Sequence, residues 1–500
     1  MRFYNSGSYV LASWLFLRLL GLIYLAAFVS LAVQIRGLVG ANGILPVADL
    51  LRLQTEGRSR RWWRVPTLCW FSSSDRALVL QCWGGAILAV ALTIGIAPRV
   101  ALPLLWALYL SLLAACWLFL GYQWDILLLE TGFLSIFLAP AGLWPKWPGA
   151  QAPSHLILWL MWWLLFRLMF SSGMVKLRSR DPTWRNFTAL CHHYQTQPLP
   201  TPLAWHVSQL PPRFHKASAA LMFGIELLAP FLLWGPPSAR RTAAALFILL
   251  MVLIQVTGNY CFFNLLGIAL SLLLLDDAVL GPVFDKLVPT WNNERWVALP
   301  HPAQRDGSVA GAGGTPALLW GLALIIFALS VPRLLLLFRL DIIWPRMVEF
   351  VLEYLEPFHF VNSYGLFAVM TTERPEIIVE GSDDGLTWRA YEFRWKPGDV
   401  KRAPKFVAPH QPRLDWQMWF AALGYYQNNP WFTRLLRRLL EGSPTVLALL
   451  RNNPFEARPP RFLRAVICDY RFTNRTERQT TGAWWKSERR GLYCPILDRG

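Results

Sequence analysis

The stretch HLILWLMWWLLFRLMFSSGMVK, residues 155–176, decides the fold. It consists mostly of Leu, Trp, Phe and Met, with a single Arg inside and a Lys at its end. A helix of about 20 residues, rising about 1.5 Å per residue, crosses a hydrocarbon layer of about 30 Å. The stretch therefore predicts a membrane-spanning helix at the centre of the fold.

A strongly polar segment, residues 177–206, follows this helix directly. Its charged residues, histidines and prolines cannot lie in lipid, because backbone groups there would lack hydrogen-bond partners. We therefore expect any chemistry to lie where the central helix joins this segment.

Similar apolar runs recur on both sides of the central helix. A run of about 18 or more apolar residues indicates a transmembrane helix. The predicted fold class is an all-α, multi-pass transmembrane bundle over residues 1–338, in contact with membrane lipids. About nine spans are predicted, at residues 11–33, 77–97, 101–120, 126–144, 155–175, 217–234, 243–257, 260–280 and 316–338.

The composition changes after residue 338, and the remaining residues, 339–500, contain no apolar span. Strand patterns alternate with helical patterns in this tail, which predicts a C-terminal extramembrane domain of mixed α+β structure. The Gly-rich run 291–315, before the last span, predicts a flexible linker. The strand patterns cover residues 375–381, 387–395 and 461–473, and the helical patterns cover residues 414–426 and 429–442.

The formal net charge of +18 would suggest nucleic acid as the partner of a soluble protein. Here the basic residues border the apolar runs, where they contact lipid headgroups. No nucleic-acid-binding signature accompanies the charge. We predict no nucleic-acid partner, no cofactor and no metal site.

Four charged residues lie inside the predicted spans, namely Arg18, Glu130, Arg167 and Glu226. A charge at membrane depth is costly and by default marks a functional site. The alternative is structural, with the two Arg pairing with the two Glu to lock the bundle.

Lys176 stands at the exit of the central span, where two interpretations are open. A desolvated Lys can act as a general base. A Lys in that place also commonly extends its ammonium group to the membrane surface. Under an enzyme hypothesis, Lys176, His193 and Glu226 are the candidate catalytic residues.

Five segments carry a resemblance to a known family. In this combination the sequence resembles the lipase maturation factor family of multi-pass membrane proteins. The resemblance implies a non-enzymatic membrane factor that helps secreted lipases fold and assemble, with the C-terminal domain engaging the lipase or another folding client. The segments are GANGILPV (40–47), WDILLLETGFL (124–134), SSGMVKLRSRDPTWRNFTALCHHYQTQPLPTPLAWH (171–206), NYCFFNLL (259–266) and NPFEARPPRFLRAVICDYRFT (453–473).

Eukaryotic members of this family lie in the endoplasmic reticulum membrane, with the C-terminal domain in the lumen. Arg greatly outnumbers Lys in this chain, as in many proteins of GC-rich bacteria. For a bacterial chain the implied membrane is the inner, or cell, membrane. Cys468 and Cys494 in the tail could form a disulfide if the tail faces an oxidising compartment.

The membrane half also resembles the transmembrane domain of vitamin K-dependent γ-carboxylase over a short stretch. GMVKLRSRDPTW (173–184) places Lys176 where that family has its catalytic base, although the spacing to Trp184 is longer here. This resemblance implies the alternative function, a membrane enzyme of carboxylase type.

Aromatic and Arg side chains of the two tail helices form the predicted client-binding surface, because such residues are enriched in recognition surfaces. The alternative is ordinary domain core and a solvated helix face. If the tail is an independent domain, deleting it should leave a stable bundle without client activity. The candidate residues are Trp416, Trp419, Phe420, Tyr425, Trp431, Arg434, Arg437 and Arg438.

Overall fold

The structure is a computed structural model that describes residues 7–55, 61–144, 152–287, 316–338 and 345–499. The predicted linker 291–315 and the predicted domain boundary at 339 lie outside the described residues. The first part of the chain is helical, which satisfies each backbone group within its own segment as a membrane requires. Its first eight helices are α1 (Val10–Ala32), α2 (Ile35–Val39), α3 (Val47–Thr55), α4 (Arg61–Arg64), α5 (Asp75–Ile94), α6 (Pro98–Ala115), α7 (Trp117–Leu120) and α8 (Gln123–Leu138).

The central stretch of the sequence forms a single helix, α9, which is the most deeply buried of the long apolar helices. The polar segment after α9 folds into the short helices α10–α12. Asp181 caps α10 by accepting a hydrogen bond from the Thr183 amide at 2.7 Å. These helices are α9 (His155–Arg178), α10 (Pro182–Arg185), α11 (Ala189–Thr196), α12 (Pro202–Ser208), α13 (Pro212–Leu227), α14 (Pro237–Thr257), α15 (Phe263–Leu272), α16 (Asp277–Leu287) and α17 (Pro316–Leu335).

Within the described residues, seven helices are long and apolar enough to cross a membrane, or eight if the bent pair α15–α16 counts as one span. The multi-pass helical class is confirmed, but the prediction of about nine spans is slightly too high. The segment predicted at 126–144 is α8, whose 16 residues reach about 24 Å. The segment predicted at 260–280 bends by 109° between α15 and α16.

The tail contains a four-stranded antiparallel sheet in the order β2-β1-β5-β6, and its helices pack beside the sheet. The predicted strands and helices are confirmed, except that the run 387–395 breaks into two short strands. The last strand was not predicted. The tail elements are α18 (Arg346–Leu355), β1 (Arg374–Ser382), β2 (Arg389–Ala390), β3 (Glu392–Phe393), α19 (Arg413–Ala422), α20 (Pro430–Leu440), α21 (Pro444–Leu447), β4 (Leu450–Asn452), β5 (Phe462–Phe472), α22 (Arg475–Thr481) and β6 (Trp485–Asp498).

The tail packs on one end of the bundle and shares its core. Buried residues of the spanning helices and buried residues of β1, α19 and α20 belong to one continuous hydrophobic cluster. Asn259, between α14 and α15, donates to the Lys405 carbonyl at 2.8 Å and accepts from the Val407 amide at 2.7 Å. The bundle and the tail therefore form a single packed unit.

Candidate functional site

Lys176 and Glu226 form a buried ion pair near the exit of α9. The Lys176 ammonium donates to both Glu226 carboxylate oxygens, at 2.8 and 2.7 Å, and to the Ser172 carbonyl at 3.0 Å. Both side chains are only 6% exposed. The side-chain nitrogen is therefore not exposed on the protein surface, and the three contacts use the three N–H groups of an ammonium.

His193 lies in the same place as this ion pair and belongs to a short hydrogen-bonded chain. Its Nε2 is 3.2 Å from the Tyr260 hydroxyl, which donates to Oε1 of Gln197 at 2.8 Å. Burial, together with the nearby charge of Lys176, lowers the pKa of His193 to about 4. The imidazole is therefore neutral at neutral pH.

A cavity of about 240 Å³, which we call the central cavity, is lined by Lys176, His193, Glu226 and Tyr260 among others. Its walls come from α9, α11, α13, α14 and the start of α15, and the tail residues Leu366 and Phe367 cover it. The His193 and Phe367 rings meet edge to face, with centroids 5.0 Å apart. The structure thus brings the three candidate catalytic residues together around one cavity.

Glu130 and Arg167, from α8 and α9, pair directly in the bundle interior. Glu130 also accepts hydrogen bonds from the Asn362 amide at 2.8 Å and from the Tyr364 hydroxyl at 2.7 Å. Arg167 donates to the Asn362 carbonyl at 3.2 Å. Both side chains thus contact the tail as well as each other, so this pair joins the tail to the bundle.

A second junction, between Asp125 and Arg413, was not among the sequence candidates. The guanidinium of Arg413, at the start of α19, donates to both carboxylate oxygens of Asp125 at 2.6 and 2.8 Å. Tyr109 donates to the same carboxylate at 2.5 Å. Asp125 is 0% exposed and Arg413 is 1% exposed, so the pair is fully desolvated.

A third junction joins the sheet to the polar segment after α9. Arg374, at the start of β1, donates to the Gln195 carbonyl at 2.6 Å and to the Pro198 carbonyl at 2.8 Å. It also pairs with Glu376, which pairs in turn with Lys396. These buried groups were missed because nothing in a strand pattern distinguishes a buried charge from an exposed one.

Arg18 and Glu226 do not pair with each other. Arg18 lies over the Trp14 ring, 4.8 Å from its centroid, while Glu226 pairs with Lys176. The predicted locking of the bundle by pairs of Arg and Glu therefore holds for Arg167 and Glu130 alone.

Three of the predicted client-binding residues are buried against the bundle. Trp416 packs edge to face on Trp124, with centroids 4.8 Å apart, and the Trp419 indole donates to the Thr196 carbonyl at 2.8 Å. Trp431 contacts Phe119. The prediction that these three form an exposed client surface is wrong in this structure, because they are the core between the tail and the bundle.

The other predicted client-binding residues remain accessible to different extents. Phe420 is 43% and Tyr425 is 76% exposed. The Arg434 side chain lies 3.6 Å from Asp49, and Arg437 is exposed. Arg438 is largely engaged, since it pairs with Glu441 and donates to the Gly43 carbonyl at 2.9 Å.

Tyr425 also borders an open groove of about 510 Å³ on the tail, which we call the tail groove. Leu492 and Tyr493 of the edge strand β6 form its other side, and Leu492 is 57% exposed. Exposed apolar residues around a groove are typical of an interaction site.

The possible disulfide between Cys468 and Cys494 is not formed in the structure, where both thiols are free. In the β5–β6 register Cys494 is opposite Ala465, while Cys468 is opposite Arg489. The two side chains belong to different hydrophobic clusters on the two faces of the sheet, which is why they cannot meet.

The fold and these sites define a class, an integral membrane protein whose multi-pass helical bundle is closed at one end by an α+β domain. The chain matches the lipase maturation factor transmembrane domain over residues 11–282 and the lipase maturation factor C-terminal domain over residues 360–495. It therefore belongs to the lipase maturation factor family, which confirms the resemblance seen in the sequence.

Individual relatives match over nearly the whole chain. Lipase maturation factor 2 of Mus musculus is 38% identical, with 97% of this chain and 83% of the relative covered. Lipase maturation factor 2 of Homo sapiens is 36% identical, with 97% of this chain and 82% of the relative covered. Lipase maturation factor 1 of Bos taurus is 35% identical, with 99% of this chain and 90% of the relative covered. No solved structure matches the chain.

Proposed function

We propose that this protein is a non-enzymatic maturation factor that assists the folding and assembly of secreted lipases from within a membrane. The observation that carries the proposal is family membership along both the bundle and the tail, with relatives that are named lipase maturation factors. We further propose that a eukaryotic chain of this kind acts in the endoplasmic reticulum membrane and a bacterial one in the cell membrane.

The tail is proposed to engage the client through the tail groove. Tyr425 and Leu492 expose large apolar groups on its two sides, and β6 is an edge strand of the four-stranded sheet. An incompletely folded lipase exposes extended apolar segments, and such segments add to strand edges through backbone hydrogen bonds. The groove therefore suits an extended client segment better than a finished globular surface.

The double substitution Tyr425→Ser with Leu492→Ser is expected to weaken client binding about tenfold or more, because exposed anchors dominate recognition. The measurement is the secreted activity of a lipase that requires a maturation factor, together with its co-purification on this protein. Phe406→Ser with Leu386→Ser is the control, since it removes an exposed aromatic residue and an exposed Leu from the tail outside the groove. Equal client activity in the two double variants would contradict the groove as the client site.

A second candidate function, a membrane enzyme with Lys176 as base, is favoured by the grouping of Lys176, His193 and Glu226 at the central cavity. A base needs a free lone pair, however, and Lys176 Nζ already contacts both carboxylate oxygens of Glu226 and the Ser172 carbonyl. The geometry therefore supports a structural ion pair better than a reaction centre.

Replacing Lys176 by Met alone is expected to destabilise the protein by about 3–5 kcal/mol, because Glu226 is left buried without a partner. Lys176→Met combined with Glu226→Leu should recover most of this loss, because both charges are then removed. Thermal unfolding of the purified protein measures both effects. A stable double variant with full maturation activity excludes a reaction centre at Lys176, whereas a stable but inactive one would support the enzyme.

A further inference from the structure

The helix α18, at the start of the tail, has an apolar side that protein covers only in part. Met347, Phe350, Val351 and Tyr354 follow the spacing i, i+3, i+4, i+7, which places them on one side of the helix. Met347 is 79% exposed and Phe350 is 58% exposed, whereas Val351 and Leu352 pack against the hydrophobic core. One part of the apolar side is therefore bound to the bundle, and the other part faces outward.

The charged residues of α18 lie together on its remaining side. Arg346, Glu349 and Glu353 follow the spacing i, i+3, i+7, and all three are exposed. A helix with charges on one side and exposed apolar groups on the other is typical of a helix that lies in the plane of a membrane surface. The sequence pattern of α18 therefore fits a lipid surface, provided that the fold places the helix at that level.

The chain that follows α18 gives its level in the membrane. The Phe360 ring contacts Trp106 of α6, with centroids 5.3 Å apart, and Phe133 of α8, with centroids 4.5 Å apart. Ala115, at the end of α6, and Gln123, at the start of α8, lie at the end of the bundle that the tail covers. At about 1.5 Å per residue, the two contacts lie about 14 Å and about 15 Å along the helices from that end. Two helices thus agree that Phe360 lies well inside the bundle.

From Phe360 the chain returns along α8 toward the tail. The Asn362 amide donates to Glu130 at 2.8 Å, and the Gly365 amide donates to the Gln123 side chain at 3.0 Å. The preceding span, α17, ends beside the end of α9, where Arg178 donates to the Leu336 carbonyl. The residues between α18 and the sheet therefore enter the bundle and leave it again at the same end.

Aromatic contacts connect α18 to this inserted segment. The Trp63 indole of α4 donates to the Tyr354 carbonyl at 2.5 Å, and its ring stacks on the Tyr354 ring with centroids 4.3 Å apart. Trp63 also contacts Phe358 at 4.5 Å, and Phe358 stacks on Phe360 at 5.6 Å. The end of α18 is thus only two ring contacts from Phe360. Trp and Tyr side chains of this kind are enriched where a membrane meets water.

We propose that α18 is a membrane-surface helix that lies against the flank of the bundle, at the boundary between lipid headgroups and acyl chains. Met347 and Phe350 insert among the acyl chains, and Glu349 and Glu353 face the headgroups and water. The partner of this surface is the lipid bilayer itself, because the exposed apolar side continues from residues that lie at membrane depth. The helix attaches the start of the tail to the membrane independently of the tail groove and of the proposed client.

Spin labels on α18 in phosphatidylcholine nanodiscs test the proposal. Single Cys substitutions at Met347 and Phe350 are compared with Glu349→Cys and Glu353→Cys, which are matched controls on the same helix. Cys191 is replaced by Ser in every protein, since it is half-buried while the other six cysteines are buried. Collision with oxygen, which concentrates in lipid, and with a water-soluble nickel complex is measured by electron paramagnetic resonance.

The ratio of oxygen to nickel collision is expected to be about tenfold higher at positions 347 and 350 than at 349 and 353. Equal ratios at all four positions would place α18 in water and overturn the proposal. Labels at 347 and 350 that are shielded from both reagents would show that a second copy or another protein covers this side, and would overturn it as well.

Hydrogen exchange of the α18 amides gives a second measurement in the same nanodiscs. Met347→Asp with Phe350→Asp should accelerate exchange about tenfold, because two charged groups cannot remain among acyl chains and the helix loses its lipid cover. Met347→Leu with Phe350→Leu is the matched control and should leave exchange unchanged. The amides of α9 report whether the bundle is still folded. Unchanged exchange of α18 in the Asp protein would overturn the proposal.

Discussion

Replacing Arg413 by Ala is expected to destabilise the folded protein by about 3–5 kcal/mol, because the change leaves the Asp125 carboxylate buried without its partner. Arg413 supplies two of the hydrogen bonds to Asp125, and water cannot replace them at a site that is 0% exposed. Unfolding of the purified protein in a denaturing-detergent titration measures the change. The loss should appear in the bundle as well as in the tail, since the pair joins the two.

Two further proteins make this result specific. Arg437→Ala removes an exposed Arg from the same region and should change stability by no more than about 0.5 kcal/mol. Asp125→Leu combined with Arg413→Met removes both charges and should restore stability to near that of the unsubstituted protein. If the Arg413→Ala and Arg437→Ala proteins unfold at the same concentration of denaturing detergent, the buried pair has no role in stability.

Truncation after Phe338 is expected to prevent accumulation of a folded bundle. Without the tail, Asp125 loses Arg413, and Glu130 loses Asn362 and Tyr364. The apolar surface under α19 is also exposed at the same end of the bundle. Asp125 is then a buried charge without a partner, which costs several kcal/mol, whereas Glu130 keeps Arg167 but loses two hydrogen bonds. A marginally stable protein cannot absorb the two losses together.

The truncated protein is best compared with a cut protein that keeps the tail. A protease site inserted between residues 338 and 345 allows the chain to be cleaved after folding, and the two pieces should co-purify through the three buried junctions. The truncated chain should reach a membrane level at least several-fold lower, because destabilised proteins are degraded. The opposite result would be a truncated bundle that is monodisperse and accumulates in the membrane to the same level as the whole protein. That result would support two independent domains.

Much of the local structure could be predicted from the sequence. A long apolar run has few alternatives to a transmembrane helix, since any other backbone conformation would leave polar groups unpaired in lipid. β1 and β5 were recognised by their alternating, β-branched patterns. β6 was missed because residues 486–490, KSERR, in its first half are polar and mostly solvent-facing. Its pairing with β5, rather than its own composition, makes it a strand.

The site was only partly predictable, as Asp125 and Glu130 illustrate. Glu130 was recognised because it lies within an apolar run. Asp125, at the edge of the same run, was placed outside the membrane segment, and its partner is 288 residues away in sequence. No sequence periodicity connects residues so far apart. The family resemblance included the whole WDILLLETG segment but did not show that Asp125 pairs with Arg413.

The sequence by itself determined the class of this protein, the positions of its long helices and its family. These properties depend on local composition and on backbone hydrogen bonding, which act over one or two turns of chain. Only the tertiary structure decided which charges pair, which aromatic residues of the tail are buried and which polar residues line the central cavity. Those properties depend on contacts between distant segments, and the free energy of a buried charge is determined by the partner that folding brings to it.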